Sequence, residues 1–250
     1  MSKKKIASLL ITGVLSVGII GGSFAWFTSK DSVTNAFEIV DAGATDNIES
    51  GVKVVEEFNK ETAKNMIPGA NIEKIVSVKN TASYNQFIRV KIDKVWKYNG
   101  KVVTHYIEKI ETVNDSQGNH KEVKKYEYLT KEQVSNNEGA IPLDESLIVL
   151  NFNKDYLNNV NNMQNKWTDG NALRVDDEYF YYIARVTPND TTNILLDSVT
   201  LSLDASIAYK SLAFDVIVTA EGVQDTNSAL KDVWITIPNN VRTSLSNLKN

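Results

Sequence analysis

Apolar and polar side chains alternate with a period of two through most of the chain, the spacing that puts one set on each face of a strand. Ile88, Val90 and Ile92 alternate with Arg89 and Lys91, and Phe180, Tyr182, Ala184 and Val186 with Tyr181, Ile183 and Arg185. Val199, Leu201 and Leu203 are set against Thr200 and Ser202, and Phe214, Val216 and Val218 against Asp215, Ile217 and Thr219. A last run opposes Val233, Ile235 and Ile237 to Trp234 and Thr236. Each run is rich in β-branched or aromatic residues and bounded by Gly, Pro, Asn or Asp, as half-buried strands require. Pro68-Gly69 and Pro188-Asn189-Asp190 read as turns. Asn99-Gly100 is a two-residue hairpin signal. Helix is expected in only two places, Val52 to Lys64 and the Asn-rich stretch Lys154 to Lys166. Alternation of this kind predicts antiparallel sheets with one wet face. Without long intervening helices, the fold class is mainly β, an antiparallel sandwich.

The pattern weakens between Tyr98 and Asp169, where charged and Asn-rich segments predominate. This part, about 98–169, reads as a long loop-and-hairpin excursion from one edge of a body spanning 41–240, with a strand at Leu147 to Phe152. A separate small domain is the alternative. The polar stretch 241–250 reads as a C-terminal tail.

A different pattern opens the chain: Met-Ser-Lys-Lys-Lys, an apolar run from Ile6 to Phe24, and small residues at Ser23 and Ala25. A basic start, an apolar core and a small-x-small exit are the parts of a secretion signal. Residues 1–25 are therefore expected to be removed by a signal peptidase between Ala25 and Trp26, and the product to be secreted. An uncleaved anchor is the alternative, since about 20 apolar residues span a bilayer. The following segment, 26–40, is extended and partly alternating through Phe27, Val33, Phe37 and Ile39, which suits it to act as a free arm.

Composition narrows the chemistry. The chain has no cysteine and a formal charge of −4, and loss of Lys3, Lys4 and Lys5 with the leader makes it more negative. Nucleic acid is not an expected partner, because phosphate binding needs clustered Lys and Arg. The two histidines, His105 and His120, belong to no HExxH, and no GxSxG, SxxK, GxxxxGK[ST] or GxGxxG motif occurs. No catalytic residue, metal site or cofactor is expected. Asp176-Asp177-Glu178 could hold calcium, but it lacks the spaced ligands and glycine turn of such loops and reads as a solvated loop. Tyr179-Phe180-Tyr181-Tyr182 could form a carbohydrate platform, and reads rather as core and cross-strand packing. Glu221-Gly222-Val223-Gln224 reads as a turn at a strand end.

Four segments in order carry a resemblance. GGSFAWFTSKDSVTNAFEIVDA, MIPGANIEKIVSVKNTASYNQFIRVKI, KWTDGNALRVDDEYFYYIARVTPNDTTNILLDSVTL and FDVIVTAEGVQDTN are similar to the matching anchors of the TasA and camelysin (CalY) group of secreted bacterial matrix proteins. The chain departs from that pattern at Ala82-Ser83-Tyr84, at Pro188-Asn189-Asp190, which lacks a glycine, and at Gly222. The resemblance implies a jelly-roll-like sandwich, processing by a dedicated signal peptidase, and assembly into extracellular biofilm-matrix fibres. It implies as partners further copies of the chain, joined head to tail, and an anchor or cap protein. Cut free of its leader, the arm would complete a sheet edge in the next subunit, strand addition drawing affinity from main-chain bonds. Camelysin-like members are classed as metallopeptidases, which makes a secreted metallopeptidase one alternative. A non-enzymatic cell-surface adhesin, recognising through the excursion, is another.

Overall fold

A computed structural model describes residues 28–37, 51–63, 66–114, 120–157, 166–174 and 176–248. Strand β1 is Thr28–Phe37 and β2 is Val52–Phe58, followed by a single helical turn, α1 (Lys60–Ala63). Then come β3 (Asn71–Asn80), β4 (Gln86–Tyr98), β5 (Lys101–Val103), β6 (His105–Asn114) and β7 (His120–Leu129). A short helix α2 (Lys131–Val134) leads to β8 (Ile141–Pro142), β9 (Ile148–Phe152) and β10 (Trp167–Asp169). The chain continues through β11 (Tyr179–Val186), β12 (Leu196–Leu201) and β13 (Ala213–Gln224), and closes with α3 (Asn227–Val233) and α4 (Asn239–Asn247).

The strands form two antiparallel sheets of a β-sandwich and a small third sheet. One has the order β1-β13-β4-β11-β10, with β5 also paired to β4; the other is β2-β3-β12-β9. The period-two pattern explains the pairing. Val76 and Val78 of one sheet and Ile88, Val90, Val216 and Val218 of the other are fully buried in one core. Their β-branched side chains suit the pleated, half-buried surface between sheets. Trp96 and Trp167 fill the same core, and each indole N–H donates to a main-chain carbonyl, of Asp144 and Asn193, so neither buried donor is left without a partner.

Four expectations need correction. Val52 to Lys64 is a strand before it is a helix: Val52 and Val54 are buried and Lys53 and Val55 exposed. The ladder from Val52↔Asn80 to Phe58↔Lys74 uses their main chain, leaving only one turn for α1. Second, the first sheet does not have a simple wet face. Beyond the sandwich core, Phe87, Tyr181, Ile183 and Val223 form a second cluster against Ala229, Leu230, Trp234, Ile237, Val241 and Leu245. Residues 233–237 are therefore no strand; they finish α3 and turn into α4, with Trp234 and Ile237 buried and Ile235 75% exposed. Third, most of 241–250 is helix rather than tail, its Val241 and Leu245 one turn apart on the buried side. Arg242 ties it down by donating to the carbonyls of Leu230, Trp234 and Ile235. Fourth, β12 ends at Leu201, and Leu203 lies in the following turn, 79% exposed.

The excursion is shorter than the sequence suggests. Strands β9 and β10 belong to the main sheets, and β9 pairs with β12 from Leu196↔Phe152 to Leu201↔Ile148. What projects is the ribbon β6–β7, in continuous register from His105↔Leu129 to Asn114↔His120, with β8 beside only its base. Of the helix expected at Lys154 to Lys166, Lys154–Tyr156 form a turn, Leu157 bridges to Trp167, and 158–165 lie outside the described residues.

Candidate assembly site

The feature that could join one copy to another is the edge of the larger sheet. Strand β1 is its terminal strand and pairs with β13 over ten residues, from Thr28↔Val223 to Phe37↔Phe214. Beyond β13 lies β4, the longest strand, in register from Ala213↔Lys97 to Gln224↔Gln86. The arm expected to seek a neighbour thus completes the edge of its own body.

The register sets out how well it fits. Phe214, Val216, Val218 and Ala220 of β13 are buried in the sandwich core. Opposite them stand Phe37, Asn35, Val33 and Asp31. Val33 and Phe37, picked out by their spacing, occupy register positions opposite core residues. The other two positions carry polar residues, Asn35 and Asp31. Phe27 and Ile39 of the arm, and Ser23, Ala25 and Trp26 at the expected cleavage point, lie outside the described residues.

Behind this edge sits a charged cluster that sequence reading did not assemble. Glu221, opposite Lys30 on one side and Arg89 on the other, accepts two hydrogen bonds from the Arg89 guanidinium, at 2.9 Å from Nε and 2.7 Å from Nη2. That guanidinium lies 3.8 Å from the Tyr179 ring centre and 4.8 Å from that of Trp234, a stacked cation with a fixed fork. Glu221-Gly222-Val223-Gln224 is therefore no turn but the end of β13, and Glu221 pairs across strands instead of satisfying loop amides.

The acidic triplet is structural as well. Asp177 is buried and accepts from the Tyr179 main-chain N–H and the Tyr181 hydroxyl, both near 3 Å. Burial, and then the Asp177 charge, push the Tyr181 hydroxyl well above its ordinary pKa. Glu178 pairs with Lys91 at 2.6 Å, and the hydrogen bonds that the Lys91 ammonium donates to Glu178 and Asp93 raise it above the usual lysine range. Gly170 is held close to this loop: a Cβ there would sit 2.5 Å from the Asp177 carboxylate and 2.6 Å from the Tyr179 carbonyl. The aromatic string divides between the two cores, Tyr182 packing on Trp167 and Tyr181 edge-on to Trp234.

His105 and His120 begin opposite strands of the ribbon and fall at its two ends. Nine residues of extended chain separate those ends by about 30 Å. They cannot share one ion. Among the described residues no group of three or more His, Cys, Asp or Glu is placed to hold a metal, and no helix is long and apolar enough to cross a membrane. Comparison of the chain with protein-family models, with curated proteins and with solved structures finds no match.

Proposed function

We propose that this chain is a secreted structural subunit, not an enzyme, that assembles into extracellular biofilm-matrix or pilus-like fibres by passing its N-terminal strand to the next copy. A jelly-roll-like path of the sandwich strands, processing by a signal peptidase at Ala25-Trp26, and an anchor or cap protein are parts of the same reading. The observation that carries it is the placement of Thr28–Phe37 at a sheet edge, in a ten-residue ladder with β13. As the terminal strand it has a single ladder to break, and its departure uncovers a row of main-chain donors and acceptors, a template for another chain. Because the same β1 fits the same edge in any copy, exchange replaces every hydrogen bond it breaks. A contact between two different surfaces propagates as a filament where its rotation does not close a ring.

Electron microscopy of the chain recovered after export tests this. Filaments are expected from the full product, and monomers from a variant lacking residues 28–37. A product that stays monomeric across salt and pH, or filaments undiminished by the deletion, would refute exchange.

The ribbon β6–β7 favours a second reading, a cell-surface adhesin, because it stands off the body with Ile110 62% exposed. Deleting 107–127 should then abolish adhesion while leaving assembly intact.

A further inference from the structure

A cleft of about 720 Å³ opens at one end of the sandwich, floored by Trp96, Phe214 and Leu201 and walled by Met66, Tyr209 and Leu212. Its mouth is unusually apolar for a surface. Ile67 is 68% and Ile207 67% exposed, and both line the cleft. Leu203, still more exposed, stands beside them: its Cδ2 lies 2.8 Å from where a Cβ on Gly69 would be, in the turn after Pro68. Gly69 has φ +85, a conformation that favours glycine, so the turn holds its shape under Leu203. Soluble monomers seldom group large exposed apolar residues around a concavity, and such a grouping marks a contact surface.

The register of the edge strand says what reaches this surface. Ala213 and Phe214, the first residues of β13, line the cleft, and Phe214 is the partner of Phe37, the last residue of β1. Whichever chain supplies β1 therefore leaves the sheet at the cleft. The chain resumes its described path at Gly51 and Val52, and Val52 pairs with Asn80. Asn80 belongs to the opposite end of the sandwich: its side chain donates to the Val186 carbonyl, and Val186 pairs with Gln86, itself opposite Gln224 at the far end of β13. Residues 38–50 can span no more than about 45 Å. Within one copy they must return the length of the sheet, about 30 Å. Between two copies they need only join the cleft end of one body to the Gly51 end of the next.

From this, and resting on the exchange reading above, we infer that the cleft is the docking surface for a second copy, and that it receives that copy's Gly51 end, where the turns Asn80–Tyr84 and Thr187–Asp190 lie. The fibre is polar: each body presents Ile67, Leu203 and Ile207 to the neighbour whose arm it has taken. The apolar mouth, which the described residues leave exposed, is buried at every junction except the terminal one.

Two experiments on the exported full chain test the docking surface separately from exchange. The triple variant Ile67→Asp, Leu203→Asp, Ile207→Asp changes only exposed side chains and should keep the wild-type circular dichroism and melting. Its critical concentration for filaments should rise at least tenfold. An unchanged critical concentration in a folded variant overturns the docking surface and leaves exchange standing; absence of filaments from the wild type removes both. Because the chain lacks cysteine, a second test is unambiguous: the pair Ile207→Cys and Asn189→Cys, treated with a short bis-maleimide, should give a ladder of linked chains. A mixture of Ile207→Cys alone that links into dimers just as readily would mean cleft-to-cleft contact, and would overturn the assigned polarity.

Discussion

Arg89 joins three parts of the molecule with one side chain: it lies on β4, bonds Glu221 of β13, and stacks between Tyr179 of β11 and Trp234 after α3. Replacing it with Met leaves Glu221 half-buried beside an apolar chain. Arg89→Met should cost about 2–3 kcal/mol in urea unfolding. Arg89→Lys should recover little of this, since an ammonium neither forks nor stacks. Tyr128 offers a pH test. Its hydroxyl donates to the Ala208 carbonyl at 2.6 Å, and burial pushes its pKa up to about 12 from 10.0. Above about pH 10 the unfolded chain loses this proton while the folded chain keeps it, so stability from this group falls with rising pH. The stability difference between wild type and Tyr128→Phe should be flat below pH 10 and decline between pH 10 and 12, read from urea midpoints. Neither site was legible in the sequence. Arg89 and Glu221 are 132 positions apart, and only the register of two strands brings them together.

Among the elements, the β6–β7 ribbon is the most separable. Beyond its base it is held by cross-strand pairs such as Lys124–Glu108, Lys109–Glu127 and Lys125–Glu111, all largely solvated, and exposed pairs of this kind contribute little. The base is different: Tyr128 packs on Tyr98, and Leu129 is buried. Replacing 108–126 with an Asn-Gly turn should therefore shift the melting temperature by no more than about 4 °C, while Leu129→Ala should lower it well beyond that. Period two in the sequence correctly located β4, β11, β13 and the second half of β12, because the alternating residues there do face opposite sides. It failed where two periods overlap. Val54, Val55 and Phe58 satisfy a helical stripe as well as a strand, and the choice was made by β3, whose free main chain pairs with all of β2. Val233 to Ile237 alternates by accident. The better signals lay on either side, Thr226 capping α3 by accepting from the Ala229 N–H, and Val241 and Leu245 spaced four apart within an otherwise polar stretch that disguised α4.

For the whole molecule, what matters is that a strand at the rim is held by one ladder where an inner strand is held by two. Among the described strands β1 pairs with β13 alone, whereas β13 also pairs with β4, so arm and body are separable in a way that inner strands are not. Val33 and Val218 are direct partners, within the Cα separation a disulfide tolerates. The double variant Val33→Cys, Val218→Cys, oxidised as a monomer, should lock the arm at home and form no filaments; reduction should restore them. Filaments from a fully bridged monomer would sink exchange. The extended character of the arm could be read from its alternation, but the edge it joins could not, since any open edge would have answered the same pattern.

The ten-residue ladder also fixes how a chain of such subunits would meet tension. A pull transmitted through residue 38 acts along the axis of β1, from the Phe37 end, while the body holding it is drawn the other way. The hydrogen bonds to β13 are then strained side by side, in shear, and must yield together; a pull across the ladder would peel them open one after another. A thread joined in this manner resists stretching best along its own length, where flowing water or a moving cell would load it.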